Sequence, residues 1–352
     1  MGLTSSCACG AEPDAGPAAP PPPPPPSPSP QHGMTFGKKK WEQKQSEFSA
    51  LRITPTIAGA LQSDPNSSKA HVKDMLVELN LEGCSHVQGS LKDVAMFDDL
   101  RVLNLSGCKV VIGDLQDLLP LKNLQELRLG RCDLIQGNIK SIGTMSSLST
   151  LYLHNNQNIK GNLADLINFP LMAAINFHCC EYLEGQLGQL ASLVLLTKLD
   201  LGFCDKLQGQ LADLAPLSNL TVLRMGRCEG VQGSLTDITK QSWAPNLLEF
   251  GVPSRVGGHL EDLATLRRIQ TLYLGECQNV NGDLGDFAEF AQLKHLGLKR
   301  CRNIGGQASN IAGLSNLVLL DLSGCPQFAG KGFGSPGHSL RQTDLSLLTH
   351  CA

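Results

Sequence analysis

The chain has 352 residues, and 29 Lys and Arg against 32 Asp and Glu give a net charge of −3. This near balance argues against a general nucleic-acid-binding protein, which would carry a large basic excess. Apolar runs stay short of the roughly 18 residues that a membrane-spanning helix needs, and the first residues lack the basic and apolar regions of a secretory signal.

The first six residues, Met1-Gly2-Leu3-Thr4-Ser5-Ser6, match the pattern for N-terminal myristoylation on Gly2. Stable anchoring takes a second signal. Cys7 and Cys9 offer sites for palmitoylation, and the lysines at 38–40 and 44 would attract anionic lipid. We therefore expect a protein of the cytoplasm, tethered to the cytosolic face of a membrane if acylated. A chance match, or a true start at Met34, is the alternative.

Residues 1–40 are predicted to be a disordered, Pro-rich tail. An unbroken proline run spans 20–26 and is followed by Ser-Pro-Ser-Pro. Such sequences adopt an extended, hydrogen-bond-free helix and cannot build a core. The tail is interpreted as a spacer, with a docking site for SH3- or WW-like domains as the alternative. Residues 41–75 are predicted to form an N-terminal capping region.

Beyond residue 75 the pattern L-x-x-L-x-L-x-x-C recurs. We number its occurrences repeats 1 to 11, which begin at Leu76, Leu100, Leu124, Leu148, Met172, Leu196, Leu220, Leu247, Ile269, Leu293 and Leu317. The spacing is 24 residues six times and then 27, 22, 24 and 24. Alternating leucines predict a short strand with one buried face, and one such strand per repeat predicts a parallel stack around a shared core. A glycine 13 residues into most repeats predicts a turn with positive φ.

This period and pattern resemble the leucine-rich repeat family. The chain is similar to the 24-residue plant-type repeat, with Cys at the Asn-ladder position and G-x-L-x-D in place of G-x-I-P. The resemblance implies an α/β solenoid of about eleven repeats over residues 76–334. It implies a curved parallel sheet on the concave face and short helices or turns on the convex face. Residues 335–352 would be a C-terminal cap or tail.

Two further rows of residues follow the repeat. Nine repeats carry Cys at the ladder position, with Asn156 in repeat 4 and Arg255 in repeat 8. We interpret the row as a ladder of buried thiols, with a redox sensor as the alternative, for which Cys179 is placed on the solvent side. The second row holds mostly Asp, four residues after the glycine. We interpret it as helix N-caps rather than a calcium-binding ladder.

The residues between the strand leucines are expected to line the concave face. In the leucine-rich repeat family, which the chain resembles, this face is the usual partner surface. Arg and aromatic residues, the types that dominate binding hot spots, cluster there. The predicted partner-binding residues are Arg128, Arg131, Tyr152, His154, Asn176, His178, Phe203, Arg224, Arg227 and Tyr273. This basic, partly aromatic patch would suit an acidic protein surface or an anionic ligand.

No motif of a known enzyme class is present: the chain lacks a P-loop, a Rossmann glycine set, kinase motifs and a nucleophile elbow. We predict a non-enzymatic protein–protein interaction scaffold without a cofactor or metal. The alternative is a receptor or sensor module, either redox-responsive or extracellular and glycan-binding. The irregular spacing around repeat 8 indicates a bulge or kink, which is either functional or simply an imperfect repeat.

Overall fold

The computed structural model describes residues 33–36, 76–85, 87–328 and 339–341. The predicted lipidation residues Gly2, Cys7 and Cys9 and the proline run lie outside this part. The chain divides into two compact units, Met1–Met145 with Tyr152–Ile159, and Ser146–Leu151 with Lys160–Ala352. Repeats 1 to 3 belong to the N-terminal unit, repeats 5 to 11 belong to the C-terminal unit, and repeat 4 contributes residues to both.

Each described repeat begins with a short strand over its alternating leucines. In the N-terminal unit these strands are Leu76–Asn80, Val102–Asn104 and Glu126–Arg128. In the C-terminal unit they are Ala174–Asn176, Lys198–Asp200, Val222–Arg224, Glu249–Gly251, Thr271–Tyr273, His295–Gly297 and Leu319–Asp321. The strand Thr150–Tyr152 has residues in both units. Neighbours within each unit pair in parallel without slippage, which confirms the predicted alignment of equivalent positions.

A second strand follows in most repeats, and the sequence pattern did not predict it. These strands are Gly89–Ser90, Val111–Asp114, Ile135–Asn138, Ile159–Asn162, Tyr182–Gln186, Leu207–Gln210, Val231–Gln232, Gly258–His259, Val280–Asp283 and Ile304–Gly305. Within each unit they also pair in parallel. Their pairing uses main-chain groups, so it leaves little trace in the side chains.

A helical turn closes most repeats. Leu91–Val94 and Leu235–Thr239 are α-helical. The other turns are 3₁₀-helices: Leu115–Leu118, Ile139–Ile142, Leu163–Asn168, Leu187–Leu190, Leu211–Leu214, Ala244–Asn246, Leu260–Leu263, Leu284–Phe287, Ala308–Ile311 and Pro326–Phe328.

The aspartate row caps these turns, but from a different position than predicted. Asp117 is the third residue of its turn, not the N-cap, and its carboxylate accepts a hydrogen bond from the backbone N–H of the N-cap Asp114 at 2.9 Å. Asp213 and Asp286 do the same at 2.8 Å each. The row therefore supplies the acidic half of a capping box, in which N-cap and third residue satisfy each other's N–H groups.

The glycine row confirms the predicted turn. Gly113 has φ +142°, and a Cβ there would lie 2.9 Å from the Cβ of Leu91 in the preceding repeat. Gly282 has φ +154° and would place a Cβ 2.7 Å from Leu260. Any side chain at these two positions would strain the backbone and collide with the neighbouring repeat.

The cysteine row is buried, as the ladder interpretation predicted. The Cys108 thiol donates to the Leu81 carbonyl at 3.2 Å, and Cys228 donates to Leu201 at 2.9 Å. Burial raises the pKa of both thiols to about 12. All ten cysteines of the described part are free and buried. Buried thiols with a raised pKa are poor nucleophiles, which speaks against a redox role for this row.

Two residues at or beside the ladder stand out. Asn156 is fully buried and makes three bonds of 2.8–2.9 Å: it donates to the Leu129 and Leu153 carbonyls and accepts from the Cys132 N–H. Cys179, beside the ladder, was predicted to face solvent, which is wrong, because only 3% of its surface is exposed. Its backbone N–H donates to the Gly202 carbonyl of the next repeat at 2.8 Å.

Repeats 7 and 8 absorb their irregular lengths in different places. The 27-residue repeat 7 adds a 3₁₀ turn, and Trp243 fills the resulting space, fully buried with its indole N–H donating to the Leu214 carbonyl at 3.2 Å. Repeat 8 loses residues between Val252 and Val256, both buried, so its loop is short and Arg255 lies outside in an ion pair with Glu229.

Antiparallel strands flank both ends. Gly33–Phe36, within the segment predicted to be disordered, pairs with Leu76–Asn80 in the N-terminal unit. Ser339–Arg341, within the predicted C-terminal cap or tail, pairs with Leu319–Asp321 in the C-terminal unit. The strand edges of the first and last repeats are therefore paired rather than open.

In ten of the eleven repeats the residue before the ladder position adopts a left-handed conformation, which the sequence did not reveal. Glycine occupies this position in repeats 1, 2 and 11, but seven repeats hold a residue with a side chain at φ between 56° and 65°: Arg131, Asn155, Cys179, Phe203, Arg227, Glu276 and Arg300. This turn directs the backbone N–H to the next repeat, as from Phe203 to the Gly226 carbonyl at 2.9 Å. The conformation costs about 1–2 kcal/mol for a residue with a Cβ.

Arg131, which is exposed in the N-terminal unit, tests this cost. We expect Arg131→Gly to be more stable than Arg131→Ala by about 1 kcal/mol, because only glycine escapes the left-handed penalty. The measurement is the denaturant midpoint of each variant. Arg101, whose φ is not positive, is the matched control, and there the order should reverse. Equal stability of the two Arg131 variants would contradict the analysis.

Candidate partner-binding groove

The predicted partner-binding residues of the N-terminal unit form a small cluster. The guanidinium of Arg128 lies 5.2 Å from the centre of the Tyr152 ring. It forms an ion pair with Glu126, whose carboxylate is 2.8 Å from Nη2. The imidazole of His154 covers Gly130, where a Cβ would approach the ring to 2.1 Å. Arg131 is exposed beside them. The cluster is basic and aromatic, as expected.

In the C-terminal unit the structure forms a groove of about 420 Å³ on the face of the first strands. We call it the strand-face groove. Its lining includes five of the predicted residues, His178, Phe203, Arg224, Arg227 and Tyr273. Asn176 is not among them; its side chain accepts a hydrogen bond from the His178 backbone N–H at 3.1 Å. Repeats 5 to 10 all contribute to the groove.

An ion-pair network holds one wall. Arg224 lies between two carboxylates, since Nη1 is 3.3 Å from Asp200 and Nη2 contacts Glu249. His178 Nδ1 lies 3.4 Å from the other Asp200 oxygen. The parallel register brings these groups together, because it pairs Asp200 directly with Arg224.

Asp200 is the buried centre of this network. Burial alone would raise the pKa of Asp200, but the hydrogen bond and charge of His178, the Gly202 N–H and the charge of Arg224 together hold it below its usual value. The Gly202 N–H donates to Asp200 Oδ1 at 3.1 Å. A carboxylate held ionised beneath Arg224 and His178 fixes the positions of both side chains on the surface.

The opposite wall consists of the left-handed row. The Arg227 guanidinium lies 5.1 Å from the Phe203 ring centre, and His178 meets the same ring edge-on at 5.1 Å. Glu276 forms ion pairs with Arg227 at 3.6 Å and Arg300 at 3.2 Å.

Tyr273 of the central row is 41% exposed and lies over Gly297, where a Cβ would lie 2.6 Å from the ring. The groove thus combines apolar rings with fixed charges.

Sequence reasoning missed three contributors to the groove. Asp200 stood in the central row without an assigned role, Glu276 was not selected, and Lys299 falls between the two rows considered. The alternation of charge along the central row, Asp200 and then Arg224, was the available signal. The burial of Asp200 could not be foreseen, because it depends on where the adjacent repeats place His178 and Arg224.

The part of the chain that the structure describes contains no group of three or more His, Cys, Asp or Glu side chains placed to hold a metal ion. Within that same part of the chain, every helix is too short or too polar to cross a bilayer.

The Asp200 network predicts a distinct pH dependence. We expect Asp200→Asn to cost about 1–2 kcal/mol of unfolding free energy at pH 7, because the charged hydrogen bonds are lost. A depressed folded-state pKa contributes stability above the unfolded value, near 3.9, that is lost as pH falls through the folded one. The cost should therefore shrink below about pH 4, as measured by denaturant unfolding at several pH values.

Asp205→Asn is the matched control for this experiment. Burial and the nearby Glu229 raise the pKa of Asp205, so its ionised form is not stabilised by folding. We expect no loss at pH 7 for this variant. A loss at Asp200 that is independent of pH would contradict the assignment of its carboxylate as an ionised anchor.

Comparisons with known proteins show likeness only among solved structures. No protein-family model matches the chain, and no curated protein matches it. It is 19% identical to an internalin, inlF, from Listeria monocytogenes, at a TM-score of 0.48 over 74% of this chain and 78% of that one. It is 20% identical to the functional domain of InlJ from Listeria monocytogenes, which includes a cysteine ladder, at a TM-score of 0.49 over 71% and 49%.

A third similar structure is the plant peptide hormone receptor RGFR1 in complex with RGF2, at 16% identity and a TM-score of 0.45 over 69% of this chain and 46% of that one. The chain spans about half the length of InlJ and of this receptor. The assignment rests on the chain itself. Its recurring strand, buried ladder residue, second strand and helical turn, in step with the L-x-x-L-x-L-x-x-C pattern, give it the leucine-rich repeat fold.

Proposed function

We propose that this protein is a non-enzymatic scaffold that binds a protein partner through the strand-face groove. The observation that carries the proposal is the groove itself, where aromatic and Arg side chains of several repeats converge on one open surface. These are the residue types that supply most binding energy at interfaces. Four of the predicted anchors, Phe203, Arg224, Arg227 and Tyr273, meet there.

The partner is acidic. In each ion pair of the groove the cation is the more exposed member: Arg224 is 41% exposed against 10% for Asp200, and Arg227 is 49% exposed against 24% for Glu276. Lys299 adds an exposed positive charge. The carboxylates lie beneath and orient the cations, so an approaching partner meets mainly positive charge.

The test is loss of binding on charge reversal at Arg227 and Lys299. Arg224 is left intact, because its removal would leave Asp200 and Glu249 without their cation. Partners captured by the wild-type chain are identified, purified and titrated against Arg227→Glu/Lys299→Glu. We expect a loss of affinity of tenfold or more, from the 1.4 kcal/mol that each factor of ten represents.

Arg267→Glu/Arg268→Glu is the matched control. Both arginines are exposed and lie outside the groove, and the change in net charge is the same. A purified partner that binds the groove variant as tightly as wild type, or loses affinity equally for both variants, would refute the proposal.

We further propose that acylation of Gly2, with palmitoylation of Cys7 or Cys9, tethers the scaffold to the cytosolic face of a membrane. Support comes from the N-terminal sequence pattern alone. Intact mass spectrometry of the native protein should show a myristoyl group, and Gly2→Ala should shift the protein from the membrane fraction to the soluble fraction. An unmodified Gly2, or a native N-terminus at Met34, would end this part of the proposal.

A further inference from the structure

Glycines of four neighbouring repeats line the floor of the strand-face groove. The position two residues after the central row is Gly202 in repeat 6, Gly226 in repeat 7 and Gly275 in repeat 9. In repeat 8 this position holds Pro253, which is buried outside the groove lining, and Gly251 of the central row lines the groove instead. The same position holds His178 in repeat 5 and Lys299 in repeat 10, so longer side chains close the bare floor at both ends.

Two of these glycines are not needed by the fold. A Cβ built on Gly226 meets nothing within 4 Å, and one on Gly275 comes no closer than 3.9 Å to Lys299. Neither residue has a positive φ. Gly113 and Gly282 are the opposite case, since both have positive φ and no room for a Cβ. The repeats that hold His178 and Lys299 show that this position accepts a long side chain.

The length of the groove selects the kind of occupant. From His178 in repeat 5 to Lys299 in repeat 10 the groove crosses five strand spacings of about 4.8 Å, or about 24 Å. An extended peptide rises about 3.3 Å per residue, so about seven residues fill this distance. The walls of Arg224 and Tyr273 on one side and Phe203 and Arg227 on the other would obstruct a broad folded surface from reaching the floor.

The walls select the chemistry of that peptide. Arg224 and Arg227 are both more exposed than the carboxylates that orient them. These guanidinium groups suit carboxylate side chains. The Phe203 and Tyr273 rings each offer an apolar surface, which suits an aliphatic or aromatic side chain.

We infer that the strand-face groove is a binding site for an extended acidic peptide of about seven residues, with apolar side chains facing Phe203 and Tyr273. This inference rests on the proposed function and narrows it from a protein partner to an unfolded segment of one. Gly226 and Gly275 are the residues that keep the floor open for the main chain of that segment.

The probe is a positional-scanning library of fluorescein-labelled, C-terminally amidated octapeptides, and the readout is fluorescence anisotropy with the full-length protein. We expect the strongest binding from pools that fix Asp or Glu and pools that fix Leu or Phe. An individual peptide combining these residues should lose tenfold or more in affinity against Gly226→Leu and against Gly275→Leu.

Gly188→Leu is the matched control, because a Cβ there also meets nothing within 4 Å but the residue lies outside the groove. Its binding should equal that of wild type, and all three variants should unfold at the wild-type temperature. Binding of the best peptide that survives both floor substitutions, or no preference for acidic pools, would overturn the inference. Misfolding of Gly226→Leu and Gly275→Leu would overturn it too, because the fold would then need those glycines.

The two proposals fail in different ways. A purified protein partner that loses affinity for Arg227→Glu/Lys299→Glu but binds Gly226→Leu normally would leave the scaffold function standing and remove the peptide site. A partner that is indifferent to both sets of substitutions would remove the scaffold function at this groove as well.

Discussion

Equivalent positions of successive repeats must lie side by side, about one strand spacing apart, and everything else in each unit follows from this constraint. The parallel pairing of the first strands sets it, as in Asp200 opposite Arg224. A residue type that suits its neighbours one repeat away then suits the whole row. Buried leucines, thiols that donate to the preceding repeat and glycines that admit a neighbouring Leu are all repeated for this reason.

The same constraint makes a binding surface out of small local choices. A single exposed side chain contributes little, but Arg and aromatic side chains of several repeats, beside the glycines of neighbouring repeats, form a groove with walls and a floor. The left-handed row adds a cost of about 1–2 kcal/mol wherever a side chain replaces glycine. Phe203, Arg227 and Glu276 carry this cost where they form a wall of the groove. Unfavourable backbone conformations that the surrounding structure enforces are often found at functional sites.

The irregular repeats show how the stack tolerates variation. Repeat 7 takes its extra residues on the helical side, where Trp243 is buried, and repeat 8 loses residues in the loop after its strand. Neither change disturbs the strand register, because Arg224 still pairs with Gly251 and Gly251 with Tyr273. The groove therefore continues through the irregular repeat, with Gly251 and Val252 in its lining.

The period of the sequence determined the parallel strands, the buried core, the thiol ladder and the turn glycines, since each is a local preference repeated in step. It also placed Arg224 and Tyr273 on one face, because strand alternation fixes which side chains point outward. Phe203 and Arg227 follow the strands and join that face through the left-handed turn. The second strands depended on main-chain pairing between repeats, so side-chain patterns did not disclose them. Tertiary structure alone decided that Cys179 is buried, that Asp200 holds both Arg224 and His178, and that Gly226 is free of any steric demand. Each of these depends on what the adjacent repeat places within a few ångströms.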